Sequence, residues 1–464
     1  MKKTKAKEYF SNLGSRISNI KLEFIFLFIA LVWGILQVFL VPPFSVADED
    51  RHFFRAWGIS QLDLRCDKKS NIYLPKNVGE LPVHFYYTRP DINPQNNPHS
   101  FSLKQIINGS YFHEKVSHDN AKYYSNFCSY NPLDHTPQAI SVFLGRISGQ
   151  PPLGIFYFAR LTNLLVAIGL IFLAIRKAPF GKIIFLFLGL LPMTIFQMAS
   201  LSGDAVQFGG ILLFTSLILY YAQKIQLENK DLLTILGVSL LTLNLKPGYI
   251  SLVLLFFVLM PKQFSSKKKY LLFSLGSAFA NILLFLFFLK TMNPNTYIGF
   301  LPNTIPSQQL HYVAQNPLSF YNAFITTFNN VGIKEYFESM IGRLGWYNFQ
   351  LPEGYILLIS IAFLLLLTSI KEKIRLNLWQ RFIFILSFLL TTATILAIEY
   401  VYFTPVGRES ILGFQGRYFI PIMPLLIFAL YKIDFKHKYT QNILIIITFV
   451  AIAIMGLYYV FNHY

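Results

Sequence analysis

Residues 22–52 read LEFIFLFIALVWGILQVFLVPPFSVADEDRH: an apolar run from Phe24 to Val41 stops at Pro42-Pro43 and opens onto Asp48-Glu49-Asp50-Arg51-His52. A helix needs about 20 apolar residues to cross a bilayer, and this run supplies them. A tight acidic cluster at the mouth of such a helix is costly near hydrocarbon and calls for a reason. Lysines at positions 2, 3, 5 and 7 precede the run. Its full spanning length, and the prolines where a small-residue cleavage site would stand, read as an uncleaved signal anchor.

The rest of the chain repeats the apolar theme. Of 464 residues, 54% are hydrophobic and 13% charged, against roughly one quarter charged in soluble domains. An all-α polytopic membrane protein follows, with about eleven transmembrane helices expected over 23–42, 153–175, 182–200, 205–222, 232–245, 248–261, 270–290, 353–370, 382–400, 417–432 and 442–460. The fifth and sixth are short and divided by Lys246-Pro247-Gly248, so they could equally be a broken or re-entrant pair. The net charge of +18 does not imply nucleic acid, because the basic residues gather in alternate short loops. Arg176, Lys177 and Lys182 form one such group. Others are Lys224 with Lys230, Lys267 to Lys269, Lys371 to Arg381, and Lys432 to Lys438. This is the positive-inside pattern, with the N-terminus cytoplasmic, and anionic lipid headgroups are natural neighbours.

That orientation divides the chain into a cytoplasmic segment 1–22, a first span 23–42, a large first extracytoplasmic loop or module 43–152, spans within 153–290, a second outer segment 291–352, and spans within 353–464. Cys66 and Cys128 both fall in the first loop, where a disulfide and two separate thiols are both open readings.

The conspicuous polar residues fall on the outer face. In Asp48-Glu49-x-x-His52, with Arg55 one turn further, the side chains of Glu49, His52 and Arg55 would share a helical face. A carboxylate there could accept a proton from an acceptor hydroxyl or hold it in place. A solvated turn with internally paired charges is the plainer alternative. Asp204, in a short outer turn, could face the first acids across a cavity or simply cap its helix. Lys246, Arg343 and Arg417 are candidates to grip a phosphate, while Arg417 could instead snorkel to headgroups. Arg160, inside the second span, must find an anionic partner or a cavity. Trp57, Tyr130, Tyr157, Trp346 and Tyr418 suit sugar stacking or an interfacial belt. His84, His99, His113, His118 and His135 lack metal-ligand spacing and read as ordinary loop residues. Asn108-Gly109-Ser110 reads as an accidental match to a glycosylation acceptor. No metal site and no organic cofactor are expected, although a divalent cation bridging carboxylates and a phosphate is compatible with the acids.

Several of these residues lie in motifs that resemble a bacterial membrane family catalogued only as a domain of unknown function, commonly assigned to the GT-C superfamily. The matching segments are Asp48-Glu49-Asp50-Arg51-His52-Phe53-Phe54-Arg55, Tyr130-Asn131-Pro132, Gly342-Arg343-Leu344-Gly345-Trp346 and Gln415-Gly416-Arg417-Tyr418-Phe419-Ile420-Pro421. Ala47, where a proline is common, and the third acid Asp50 depart from that pattern. The resemblance implies a GT-C-like fold and an inverting glycosyltransferase of the bacterial cytoplasmic membrane, active on its extracytoplasmic face. It would move a monosaccharide from a polyprenyl-phosphate donor to a surface glycan, lipid or teichoic-acid-like acceptor. It implies Asp48 and Glu49 as the acids acting on the acceptor hydroxyl. Lys246, Arg343 and Arg417 would be the phosphate-binding cations. His52, Arg55, Asp204, Trp346, Gln415 and Tyr418 would complete the substrate site. The rivals are a lipid-linked sugar transporter or flippase, a polysaccharide polymerase, and a non-catalytic scaffold.

Overall fold

The structure, a computed structural model, describes residues 20–67, 69–88, 112–292, 301–368, 376–430 and 441–464. The N-terminal lysines, His99, the Asn108–Ser110 triplet, and the basic residues between 369 and 375 and between 431 and 440 lie outside the described residues.

Among the described residues, six helices are long and apolar enough to cross a membrane. They are α1 (Leu22–Leu40), α4 (Pro152–Lys177), α7 (Asp204–Ala222), α9 (Lys267–Met292), α13 (Leu378–Tyr402) and the Ile445–His463 part of α15 (Gln441–His463). The other apolar runs form shorter or interrupted elements. The run 182–200 divides into α5 (Lys182–Gly189) and α6 (Pro192–Met198). Pro192 accounts for the division, since proline starts a helix readily but cannot continue one. The pair at Lys246-Pro247-Gly248 is indeed broken: α8 (Asn229–Thr242) ends before it and a 3₁₀ helix, Pro247–Val258, follows. At about 2.0 Å rise per residue, such a helix extends further than an α-helix of equal length. Gly416–Phe419 is a 3₁₀ turn leading to α14 (Met423–Leu430), and α12 (Glu353–Thr368) completes the set. Hydropathy alone does not separate a continuous span from two half-elements that share one apolar run.

The most enclosed of these six is α7, with 89% of its apolar window buried, whereas α9 has only 22% buried. The described part of segment 43–152 packs against the bundle. It holds α2 (Glu49–Ser60), an antiparallel pair β1 (Asn71–Pro75) and β2 (Asn120–Tyr124), and α3 (Thr136–Ile147). Cys66 and Cys128 are disulfide-bonded, with Cα atoms 5.9 Å apart. α3 returns along α4, where Gln138 Nε2 donates to Asn163 Oδ1 at 2.9 Å and Gly145 lies against Ile155. The second outer segment contributes α10 (Pro306–Gln315), α11 (Ser319–Gly342) and a small pair, β3 (Arg343–Leu344) with β4 (Phe349–Gln350).

One buried ion pair ties outer loop to bundle. Arg160 of α4 is fully buried and uses five N–H bonds: to Glu49 Oε1 (2.8 Å) and Oε2 (2.6 Å), and to the carbonyls of Val38 (2.9 Å), Val41 (2.7 Å) and Pro42 (3.0 Å). The Val38 carbonyl is the acceptor that the amide of residue 42 would serve in a continuing helix, and residue 42 is proline. Arg160 supplies the donor that the proline lacks.

Candidate active site

Asp48 and Glu49 are adjacent in sequence and diverge in space. Asp48 adopts a left-handed backbone, φ +58°, as the N-cap of α2. Aspartate tolerates that conformation better than most residues. The turn sends Glu49 into the protein, where Oε1 accepts from the Leu201 amide (3.1 Å) and Oε2 from the Phe44 amide (3.0 Å) in addition to Arg160. With these four bonds its lone pairs are occupied, and the carboxylate is wholly buried. Asp48 instead lines a cavity of about 320 Å³ and accepts from Arg51 Nη1 at 3.1 Å.

The same cavity is lined by His52, Asp204, Lys246, Gln415, Arg417 and Tyr418. Asp204, the first residue of α7, clamps both cations: Lys246 Nζ donates to its Oδ1 at 2.6 Å, and Arg417 Nε lies 2.8 Å from its Oδ2. The Tyr418 ring sits 4.6 Å from Lys246 Nζ and 5.6 Å from the Arg417 guanidinium carbon, within cation–π range of both. Local sequence sets these positions. Lys246 is extended, as a residue preceding proline prefers. Gly416 passes so close to α11 that a Cβ there would collide with the Tyr336 carbonyl and Ser339 Oγ, and its amide donates to that hydroxyl at 3.0 Å.

Other expected site residues stand elsewhere. Arg343 pairs with Glu335 and donates to Gln350 Oε1 at 2.9 Å, bracing β3 against β4. Trp346 Nε1 donates to the Phe44 carbonyl at 3.1 Å, supporting the turn that precedes Asp48. Arg55 is buried and holds the loop before the disulfide through the Leu64 carbonyl (2.8 Å). Burial lowers its pKa to about 10, against the opposing pull of Asp134 and Asp63. None of the three lines the cavity. Tyr130 does line it, whereas Trp57 belongs to the hydrophobic core.

Four cavity or near-cavity residues escaped the sequence reading. Glu399, a lone acid in the apolar α13, lines the cavity and hydrogen-bonds Tyr418. An intramembrane acid is itself a functional signal, so this one was readable. Gln207, one turn after Asp204, is buried and lines the cavity, yet neither atom of its amide has a hydrogen-bond partner among the described residues. Leaving such a group unsatisfied costs about 1–3 kcal/mol, which a polar ligand would recover. The remaining two are Asp134 and His135. His135 Nδ1 lies 2.5 Å from Asp134 Oδ1, and His135 Nε2 lies 2.7 Å from His52 Nδ1. The His52 ring stacks on Phe127, centroids 3.8 Å apart. Burial, then His135 whenever that ring carries a proton on both nitrogens, and the charges of Lys246, Arg417 and Arg51, hold its pKa well below the ordinary 6.5.

Cavity walls also include Phe285 and Leu289 of α9, Ile398 of α13 and Phe403 just after it, so the polar pocket borders apolar surface from two candidate spans. Within α7, α9 and α13 the cavity residues stand at one end and Lys224, Lys267 to Lys269 and Arg381 at or just beyond the other. Among the described residues no three His, Cys, Asp or Glu side chains gather as a metal-ligand set. A larger groove, about 1140 Å³, runs beside the apolar face of α3 and has no carboxylate among its walls.

No curated protein and no solved structure matches this chain. The model of one family, described as predicted membrane proteins and designated DUF2142, matches residues 31–426. Covering most of the chain, from within α1 to α14, that match shows that this is a multi-pass membrane protein belonging to the DUF2142 family.

Proposed function

We propose that the protein is a GT-C-type glycosyltransferase, moving a monosaccharide from a polyprenyl-phosphate donor to a hydroxyl of a cell-surface acceptor. The observation that carries this reading is one cavity combining a carboxylate (Asp48), two cations tethered to a common acid (Lys246 and Arg417 on Asp204), and apolar walls from α9 and α13. A phosphate ester with a long hydrocarbon tail has matching chemistry: anionic at the head, apolar behind it. Asp48 would orient the acceptor hydroxyl, whose oxygen bonds to the anomeric carbon as the bond from that carbon to the phosphate oxygen breaks. The prenyl phosphate departs with the electron pair, and the fixed cations stabilise the charge it gains. The unsatisfied Gln207 amide is placed for a sugar hydroxyl.

The finer topology belongs to the same proposal. Eleven membrane passages, some by half-elements, and the positive-inside rule would put the cavity on the extracytoplasmic side of a bacterial cytoplasmic membrane. The test is sugar transfer from radiolabelled prenyl-phosphate donors by the purified protein in nanodiscs, with envelope extract as acceptor. Transfer is expected, with Asp48→Asn lowering it about 100-fold or more. Absence of transfer from every donor, or a fully active Asp48→Asn, overturns the reading. Movement of intact lipid-linked sugar across proteoliposomes would identify a flippase instead.

A further inference from the structure

The three groups Asp134, His135 and His52 form a buried chain beside the cavity, which both His52 and Asp134 line, and with His135 neutral hydrogen-bond bookkeeping gives the chain one direction. An ionised Asp134 can only accept, so His135 carries its proton on Nδ1. In a neutral His135 that leaves Nε2 as a lone pair, so the 2.7 Å contact then has His52 donating from Nδ1. The His52 nitrogen left over is Nε2, unprotonated, on a side chain that lines the cavity. We propose that His52 Nε2 receives the acceptor hydroxyl's proton and that His135 and Asp134 are positioning residues that hold the resulting charge against the Asp134 carboxylate. The proposal rests on the glycosyl-transfer reading and adds the route of the proton.

The step balances. As the acceptor oxygen bonds to the anomeric carbon, its proton passes to His52 Nε2, while the Nδ1 proton of His52 passes to His135 Nε2. The net positive charge comes to rest on His135, bonded to the Asp134 carboxylate. The electrostatics favour that transfer. The charges of Lys246, Arg417 and Arg51 act on His52 and would repel an imidazolium there. Asp48, Asp134, Asp204 and Glu399 line the same cavity, but Asp48 is paired with Arg51, Asp204 with both Lys246 and Arg417, and Glu399 hydrogen-bonds Tyr418. His135 faces the carboxylate of Asp134 at 2.5 Å. When product leaves, the protons shuttle back and His52 Nε2 releases one to water in the cavity. Packing supports the geometry: Phe127 stacks flat on His52, and Gly203 leaves room for Asp134, whose Oδ2 would lie 2.9 Å from a Cβ at that position. A solvated loop histidine needs none of this.

Two measurements on the full-length protein in nanodiscs test the relay. Solid-state NMR of ¹⁵N-histidine-labelled protein, assigned by difference with His52→Gln, should show His52 protonated at Nδ1 and bare at Nε2 at neutral pH. The opposite tautomer would overturn the proposal. In transfer assays, His52→Gln should lower kcat by about 100-fold or more, the usual worth of a general base, while binding of the donor is retained. Asp134→Asn keeps a hydrogen-bonding side chain but removes the charge, so its acid limb in the pH–rate profile should move to lower pH as kcat falls. An unchanged limb, or His52→Gln retaining wild-type kcat, would leave His52 a packing residue. A wild-type protein without transferase activity would sink the glycosyltransferase reading, and the NMR result would still decide the direction of the chain.

Discussion

Replacing Arg160 by methionine should be among the most damaging single changes in this protein. The side chain is fully buried, and its five bonds run to one carboxylate and three carbonyls. Arg160→Met leaves the Glu49 carboxyl with two of its four donors gone, and leaves the Val38, Val41 and Pro42 carbonyls without the donors Arg160 supplied. Removing one partner of a buried ion pair costs about 3–5 kcal/mol. That corresponds to roughly 10²- to 10⁴-fold in the folding equilibrium. Arg160→Lys should recover little, because an ammonium has three donors and no planar fork. The double variant Arg160→Met with Glu49→Met should be markedly better than the sum of its singles, since it removes the stranded charge. The assay is reversible denaturation in mixed micelles or bicelles, run as a double-mutant cycle. A loss below about 1 kcal/mol for Arg160→Met, or strict additivity in the cycle, would refute the idea that this pair holds the Asp48 turn to the bundle.

Three other outcomes are expected. Lys246→Met should weaken binding of a prenyl monophosphate by about 10- to 100-fold, the worth of one charge-assisted hydrogen bond, as measured by calorimetry in nanodiscs; unchanged affinity would remove Lys246 from the phosphate site. Cys66→Ser with Cys128→Ser should destabilise the outer module by about 2–5 kcal/mol, seen as protease cleavage within 43–152 while the spans stay intact, and equal resistance would show that the crosslink is dispensable. His52 has a folded pKa below its unfolded value of about 6.5, so the folded state keeps it neutral and binds fewer protons than the unfolded chain. Its contribution is fully present above pH 6.5 and is lost as pH falls below that, by up to about 1.4 kcal/mol per unit until the folded pKa is reached. Denaturation midpoints from pH 7 to 5 should therefore fall less steeply in His52→Gln than in wild type, and parallel slopes would contradict the burial argument.

Several site residues were legible one at a time. Asp48, Asp204, Lys246 and Arg417 stood out because a charged group beside an apolar span is expensive, and the structure brings these four to one cavity. Glu399 carried the same signal and was passed over inside its apolar run. The neighbouring pair Asp48 and Glu49 could not be sorted, because their roles depend on a single left-handed residue and on an arginine more than a hundred positions away. His135 looked like an ordinary loop residue and its neighbour Asp134 drew no notice, since the His135 partner His52 lies 83 positions earlier and no spacing rule links them. Arg343 and Trp346 sat in a recognisable motif, yet their partners Glu335 and Phe44 turn them to bracing the frame.

Sequence alone determined that the chain is a helical membrane protein, because partition into hydrocarbon depends on the apolar content of each segment and needs no knowledge of its neighbours. It also marked the basic ends of the helices, since loop charge is likewise a local property. Tertiary structure decided which apolar runs are continuous helices, which of two adjacent acids meets the cavity, and which histidine ends the buried chain. Those outcomes follow from pairings between distant residues in a low-dielectric interior, where an ionised or hydrogen-bonding group must find a partner wherever the fold supplies one.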